Sequence, residues 1–397
     1  MKILLVSTSS GSRGGGELWL KYLGIGLKNL GHEVGLWVSS DPNMDELAAQ
    51  FSSIGEVIRS PYINTYKHRG RSLSTLFNFS TSKSLKTVWE NWQPDILHIN
   101  KQNLEDGLDI LRAADGCSFP SVCMIHITQS AQTLKAAMPQ LRDWVARFAL
   151  QNYSGQLVTA PQTRADSLKE FLQRDRSVKV ILNAAPSINQ NLIPQWRTQK
   201  RIELNINDDE ILFVSVGRMV AQKNPMYFLK VASEIKHKLP SAQFLWIGDG
   251  NLSNEWDKYV QENSLDIFIK RLPWQHEVIP WLAASDIYLH LAEFEGMPFS
   301  VLEALSVGLP CILSPKLLDD IPPFQAEGII CFDDTYEWIN KIKSQDNRNQ
   351  LSKLATHLFN NSFSLQRLAK EYIEVYQQVL QTKYRLINKK LNHLSNS

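Results

Sequence analysis

One pattern recurs along this 397-residue chain: a short apolar run, a turn of Gly and polar residues, then a stretch with helical spacing. It is read at Lys2 to Thr8, Val34 to Val38, Pro94 to Asn100, Pro120 to His126, Gln156 to Ala160 and Val178 to Asn183. The second half repeats it at Glu210 to Val216, Gln243 to Gly248, Ile267 to Leu272, Ile287 to Ala292 and Cys311 to Leu313. Apolar runs of this kind, alternating with helices, describe strands buried on both faces of a parallel sheet. Each successive pair with its crossover helix is a βαβ unit, so an α/β fold of open parallel sheets is expected. The length is too great for one core and suits two domains.

In an open parallel sheet the ligand edge is the carboxyl ends of the strands, where a following helix aims unpaired N–H groups at a docked anion. The turns at those ends are therefore the candidate site. Gly11 to Glu17 is a glycine-rich turn before a helix expected over Leu18 to Leu30; glycines let the backbone approach a phosphate closely, although such turns often only start a helix. His126 stands where its strand runs out, and His98 has the weaker claim of supporting a loop. Gly217-Arg218 through Lys223-Asn224 precedes a helix over Met226 to Lys236 and supplies a planar fork of donors and a compact ammonium. Gly248-Asp249-Gly250 forms another turn. After Ile287 to Ala292 come Glu293 and Glu295, then a helix over Val301 to Val307 that carries Glu303. A glutamate pair at this spacing also fits a solvated helix face, and Arg218 with Lys223 also fits a pair of surface cations.

More positions than two match a known pattern. The segment Glu295-Gly296-Met297-Pro298 through Leu302-Glu303-Ala304 to Gly308-Leu309-Pro310 resembles the donor-site motif of the retaining glycosyltransferases of family 4, and GGGE with LKNLGHEV resembles that family's opening. The resemblance implies the GT-B fold: two Rossmann-like, doubly wound parallel-sheet domains facing a central cleft. It implies that Gly15 lies near the donor phosphates and that His126 contacts the donor sugar. Arg218 and Lys223, after Gly217, would clamp the pyrophosphate, with Gly248 and Gly250 beside the nucleotide. Glu303 would bind ribose hydroxyls, and Glu295 with Gly296, Met297 and Pro298 would hold the sugar. The implied reaction moves a sugar, with retention and without a metal or cofactor, from a nucleotide-diphosphate sugar to a saccharide or lipid-linked saccharide. Cell-surface polysaccharide or glycoconjugate synthesis is the expected setting.

A nucleotide-sugar epimerase or hydrolase and a non-catalytic saccharide-binding module share the scaffold as alternatives. A dinucleotide oxidoreductase fits worse, because Gly11 to Gly16 lacks the GxGxxG spacing. The chain departs from the family in three places. Asn183-Ala184 replaces Asn-Gly, which would strain an alanine at positive φ; Pro273 replaces a glycine; and Pro315 to Pro323 lacks a Gly-Gly-x-Pro-Glu turn, which predicts a shortened helix.

The expected division is an acceptor-side domain over 1–185, a Pro-containing linker over 186–207, a nucleotide-sugar domain over 208–364, and a crossover helix from about Leu365 to Lys383 with a basic tail holding Arg385, Lys389 and Lys390. A net charge of +2 argues against nucleic acid as partner. Cys117, Cys123, Cys311 and Cys331 lack metal-ligand spacing and read as reduced core residues of a cytoplasmic protein. The opening apolar run is too short for a signal peptide, and none approaches the roughly 18 residues of a membrane span. Arg59 to Lys86 is basic and aromatic; it reads either as a solvated loop and helix face or as an acceptor-side surface that meets an acidic saccharide or anionic lipid head groups, the latter as peripheral contact on the inner membrane face.

Overall fold

The computed structural model describes residues 1–10, 15–67, 71–76, 79–293 and 295–395, and in them the apolar runs form two wholly parallel sheets. Each sheet is the centre of one compact unit, the first built from Met1–Asn183 with Leu365–Ser397 and the second from Ala184–Ser364.

In the first unit the strands are β1 (Lys2–Ser7), β2 (Glu33–Ser39), β3 (Glu56–Ser60), β4 (Ile96–Lys101), β5 (Ser121–Ile125), β6 (Gln156–Thr159) and β7 (Val178–Val180). Their order, β3-β2-β1-β4-β5-β6-β7, reverses direction between β1 and β4, which is where a doubly wound sheet opens its crevice. Leu4 pairs with Gly35 on one side and Leu97 on the other, so β1 is central, and its side chains from Ile3 to Val6 are wholly buried. That double burial explains why β1 reads as an unbroken apolar run.

The final helix, Leu365–Ser395, belongs to this unit and packs against the first helix, Gly15–Asn29. Tyr372 and Tyr376 are fully buried beside Trp19 and His98. The Nδ1 of His98 and the hydroxyl of Tyr376 share a hydrogen bond of 2.5 Å, so His98 is an internal anchor for the last helix. This helix runs past Lys383 to Ser395, and Arg385, Lys389 and Lys390, expected in a tail, lie within it. No Gly or Pro interrupts the sequence after Leu365, so nothing local stops it.

The second unit holds β8 (Ile211–Val216), β9 (Ala242–Ile247), β10 (Ile269–Leu272), β11 (Ile287–His290), β12 (Cys311–Leu313) and β13 (Ile329–Cys331). Its order, β10-β9-β8-β11-β12-β13, places the switch point between β8 and β11. Residues 186–207 contain a helix, Ile193–Glu203, that packs on the helix Ile279–Ala284. Pro194 sits in its first turn, where a proline lacks nothing the helix needs. Arg201 is buried there and donates to the Ala284 carbonyl and, at 3.1 Å, to Asp286.

Two sequence readings change. Neither Asn183 nor Ala184 is among the described residues with positive φ; Ala184 is buried in an ordinary conformation and the neighbouring Ala185 N–H donates to the Phe363 carbonyl. Cys331, at the end of edge strand β13, is exposed, and Cys117 is half-buried, so of the four free cysteines only Cys123 and Cys311 are core residues. In the basic segment, Arg59 is paired with Asp45, Lys67 with Asp41 and Lys86 with Glu90, while Tyr62 is buried; His68 and Arg69 lie outside the described residues. The helix after β12, Pro315–Asp320, is short, as the missing turn motif leads one to expect.

Candidate active site

At the switch point of the second sheet, two chain segments leave adjacent strands. From β8 comes Gly217 to Asn224; from β11 comes Leu291 to Pro298, leading into the helix Phe299–Ser306. They are tied together by the Glu293 N–H, which donates to the Gln222 carbonyl at 3.0 Å.

Their side chains meet as well. Lys223 forms a hydrogen-bonded ion pair with Oε1 of Glu295, and His290 Nε2 lies 3.5 Å from the same oxygen. Burial alone would raise the Glu295 pKa, but the nearby His290 ring and the positive charge of Lys223 outweigh it and push the carboxyl down to about 2. Glu295 is therefore ionised at neutral pH. Burial also lowers the His290 pKa, which favours the neutral ring. The second oxygen of Glu295, Oε2, has no partner among the described residues.

Arg218 differs from Lys223 in being exposed, and its guanidinium has no partner among the described residues. Its backbone is fixed nevertheless. Met219 N–H donates to the Asp249 carbonyl, Leu252 N–H to the Met219 carbonyl, and the Trp246 indole to the Gly217 carbonyl at 3.1 Å. The turn Gly248-Asp249-Gly250 thus lies flat against Gly217 to Met219. Gly248 has φ +136, and a Cβ there would stand 2.2 Å from the Gly217 carbonyl oxygen, so both conformation and contact require glycine. Arg271 holds the far side of that turn, donating to Asp249 at 2.7 Å while its other nitrogens bind Asp257.

Gly217, Arg218, Lys223, Gly248, Gly250, Glu295, Gly296, Met297, Pro298 and Glu303 all lie in the second unit, along the carboxyl ends of β8, β9 and β11. Pro298 caps the helix Phe299–Ser306, whose positive end faces the Glu295 turn, and Glu303 lies within that helix. The sequence reading missed His290, absorbed there into an apolar run. Its position as the last residue of a strand is the signal that singled out His126.

Gly15 and His126 belong to the first unit. Gly15 opens the first helix and is exposed, while Gly11 to Gly14 lie outside the described residues. His126 follows β5 and bonds through Nε2 to the Asn100 side-chain oxygen at 2.7 Å. The Asn100 amide donates in turn to the Gly16 carbonyl at 3.1 Å, so one network joins the end of β4, the end of β5 and the start of the first helix. A Cβ on Gly16 would lie 2.1 Å from the Gln102 side-chain amide, which would have to move aside. Burial pushes the His126 pKa down to about 4, so this imidazole is neutral and its Nε2 carries the proton.

Two Rossmann-like parallel sheets, with cation-bearing and glycine-bearing turns at a switch point, define the GT-B class of glycosyltransferases. The fold of Anabaena HepE, solved in complex with UDP, matches with a TM-score of 0.70 at 16% identity, covering 95% of this chain and 100% of that one. The model of glycosyltransferase family 4 matches residues 13–186, and that of glycosyl transferases group 1 matches residues 196–317. The chain belongs to the glycosyltransferases of family 4. It is 27% identical over 256 residues to the UDP-Gal:alpha-D-GlcNAc-diphosphoundecaprenol alpha-1,3-galactosyltransferase of Escherichia coli, a match covering 62% of this chain and 64% of that enzyme. A longer match, 24% identical and covering 92% of this chain and 93% of the relative, is to the alpha-monoglucosyldiacylglycerol synthase of Acholeplasma laidlawii.

Proposed function

We propose that this protein transfers a sugar, with retention of anomeric configuration and without a metal, from a nucleotide-diphosphate sugar to a saccharide or lipid-linked saccharide, working in the cytoplasm or at the inner membrane face. The observation that carries this reading is the placement of Arg218, whose guanidinium has no partner among the described residues, beside the Lys223–Glu295–His290 cluster at one switch point. HepE, solved with UDP and with UDP-glucose, supports a uridine nucleotide as donor. The names of the two relatives, one acting on a diphosphoundecaprenol-linked sugar and one making a glycosyldiacylglycerol, support a lipid-linked acceptor and a role in surface polysaccharide or glycoconjugate synthesis.

In the reaction the bond between the anomeric carbon and the diphosphate breaks, and the acceptor oxygen bonds to that carbon on the same face. The acceptor's proton passes to a phosphate oxygen and the nucleoside diphosphate leaves. Negative charge grows on the departing diphosphate. Arg218 offers it a bidentate fork, and Lys223, with three N–H donors and only one engaged by Glu295, has two left. These cations stand in place before reaction, so they stabilise the developing charge at little reorganisation cost. Glu295 holds the lysine and leaves Oε2 to accept from a sugar hydroxyl, with Gly296, Met297 and Pro298 shaping the turn around it. Glu303 takes the ribose hydroxyls, and Gly15 and His126 serve the phosphate and sugar from the first unit.

Incubation with labelled nucleotide sugars, with and without saccharide and polyprenyl-diphosphate-saccharide acceptors, tests the reading. Transfer product only when acceptor is present is expected, and Arg218→Ala lowers its rate by about 10² to 10³. Free sugar released without acceptor, or a near-normal rate in the variant, contradicts it.

A further inference from the structure

Asn100 is wholly buried near the carboxyl end of β4 and stands between two groups that fix its amide. One is the Gly16 backbone carbonyl, 3.1 Å from the Asn100 side-chain nitrogen, which can only accept. The amide must therefore turn its NH2 to Gly16 and its oxygen to His126. That oxygen also only accepts, so at 2.7 Å the ring's Nε2 has to be the protonated nitrogen. In a neutral imidazole the other nitrogen then carries a bare lone pair. A backbone carbonyl of the first helix thus selects, through one amide, which nitrogen of a histidine beyond β5 is basic.

The frame around this pair leaves it little freedom. The Asn100 carbonyl accepts from the Thr8 N–H at 3.2 Å, and the N–H groups of His126 and Ile127 donate to the carbonyls of Lys101 and Gln102 at 3.1 and 3.0 Å. Trp19 meets the imidazole edge-on, with centroids 5.6 Å apart. Asp106, in the loop after β4, draws the His126 pKa upward, but it already accepts from the N–H groups of Gln102 and Asn103 at 3.1 and 3.0 Å and lies 3.4 Å from Lys101. His98, in β4, is neutral and bonded to Tyr376. Burial outweighs Asp106 and holds His126 down at about 4. The residue is half-buried, and its Nδ1 has no partner among the described residues and is not shut off from water.

We infer that Asn100 is a positioning residue that makes His126 a hydrogen-bond acceptor through Nδ1, so that His126 reads a hydroxyl of a neutral sugar and turns away a sugar carboxylate. A hydroxyl donates to the lone pair, whereas a carboxylate brings a second acceptor and leaves both unsatisfied. An aspartate in place of Asn100 reverses the preference: its charge beside Nε2 favours the imidazolium, whose Nδ1–H donates. That His126 meets a sugar rests on the function proposed above. The tautomer does not, because it is measured with no nucleotide sugar present.

The test is NMR of the ring nitrogens in the full chain, with the His126 signal identified among the nine histidines by its loss in H126Q, beside calorimetric titration with UDP-glucose and UDP-glucuronate. In the wild type at neutral pH, Nε2 is expected to be protonated and Nδ1 bare, and UDP-glucose is expected to bind about tenfold or more tightly than UDP-glucuronate. N100D is expected to raise the His126 pKa by about 1–3 pH units and to shrink that preference about tenfold. If N100D does not fold, N100S, which removes the amide clamp, is expected to show both tautomers. A protonated Nδ1 in the wild type, or variants whose His126 titrates and whose ligand preference stands as in the wild type, would overturn the inference. The expected tautomer with equal affinity for the two nucleotide sugars would overturn the reading of a hydroxyl, while transfer, assayed separately, stands or falls alone.

Discussion

Glu295 and Lys223 illustrate how a half-buried ion pair can serve chemistry. Alone, each charge would be costly in that environment; together, with His290 near the same oxygen, both stay charged. Glu295→Gln keeps the shape and removes the charge. Stability is expected to fall by about 1–3 kcal/mol, because the lysine loses its counter-ion. Transfer is expected to slow more in kcat than in KM, measured by initial rates over donor concentration. Since the carboxyl lies below its ordinary value, its contribution to stability is present above about pH 4.5 and is lost as pH falls toward 2. Gly248 tests the geometry instead. Gly248→Ala meets both a positive φ and the Gly217 carbonyl, and about 1–3 kcal/mol of destabilisation is expected in urea unfolding; an unchanged midpoint contradicts the packing of the two turns.

At the scale of elements, histidines within and just beyond neighbouring strands have different duties. His98 in β4 is fully buried against Trp19 and Tyr372, and burial pushes its pKa down to about 3; that of His126, just past β5, is pushed to about 4. Both values lie below the ordinary 6.5, so the unfolded chain takes up protons that the folded one refuses. Their contribution is complete above about pH 6.5 and is lost as pH falls toward 4, at about 1.4 kcal/mol per pH unit for each histidine. Urea unfolding at pH 7 and pH 5 is expected to show this slope, and His98→Leu to reduce it. An equal slope in the variant contradicts the neutral, buried assignment. His98 also shows where sequence reading ends. Its strand was legible from the apolar run, whereas its bond to Tyr376 spans 278 residues and no local pattern encodes it. Pro194 misleads in a similar way, since a proline opening a helix and a proline in a linker look alike without the neighbouring chain.

Across the whole molecule, the two doubly wound sheets were readable because double burial leaves an unmistakable run of apolar residues for nearly every strand. The turns bearing Arg218, Lys223 and Glu295 were readable because glycines and charges interrupt those runs. The exposed apolar face of the helix Pro139–Asn152, at Leu141, Trp144 and Phe148, was not, because an apolar residue bound for the core and one bound for the outside are identical in sequence. The central claim is that the second unit grips a diphosphate between the turns after β8 and β11. Calorimetric titration with UDP and with uridine tests it most directly. UDP is expected to bind at least tenfold more tightly than uridine, at about 1.4 kcal/mol per factor of ten, and Arg218→Ala is expected to erase most of that difference. Equal affinities for the two ligands, or a difference untouched by the substitution, would contradict it.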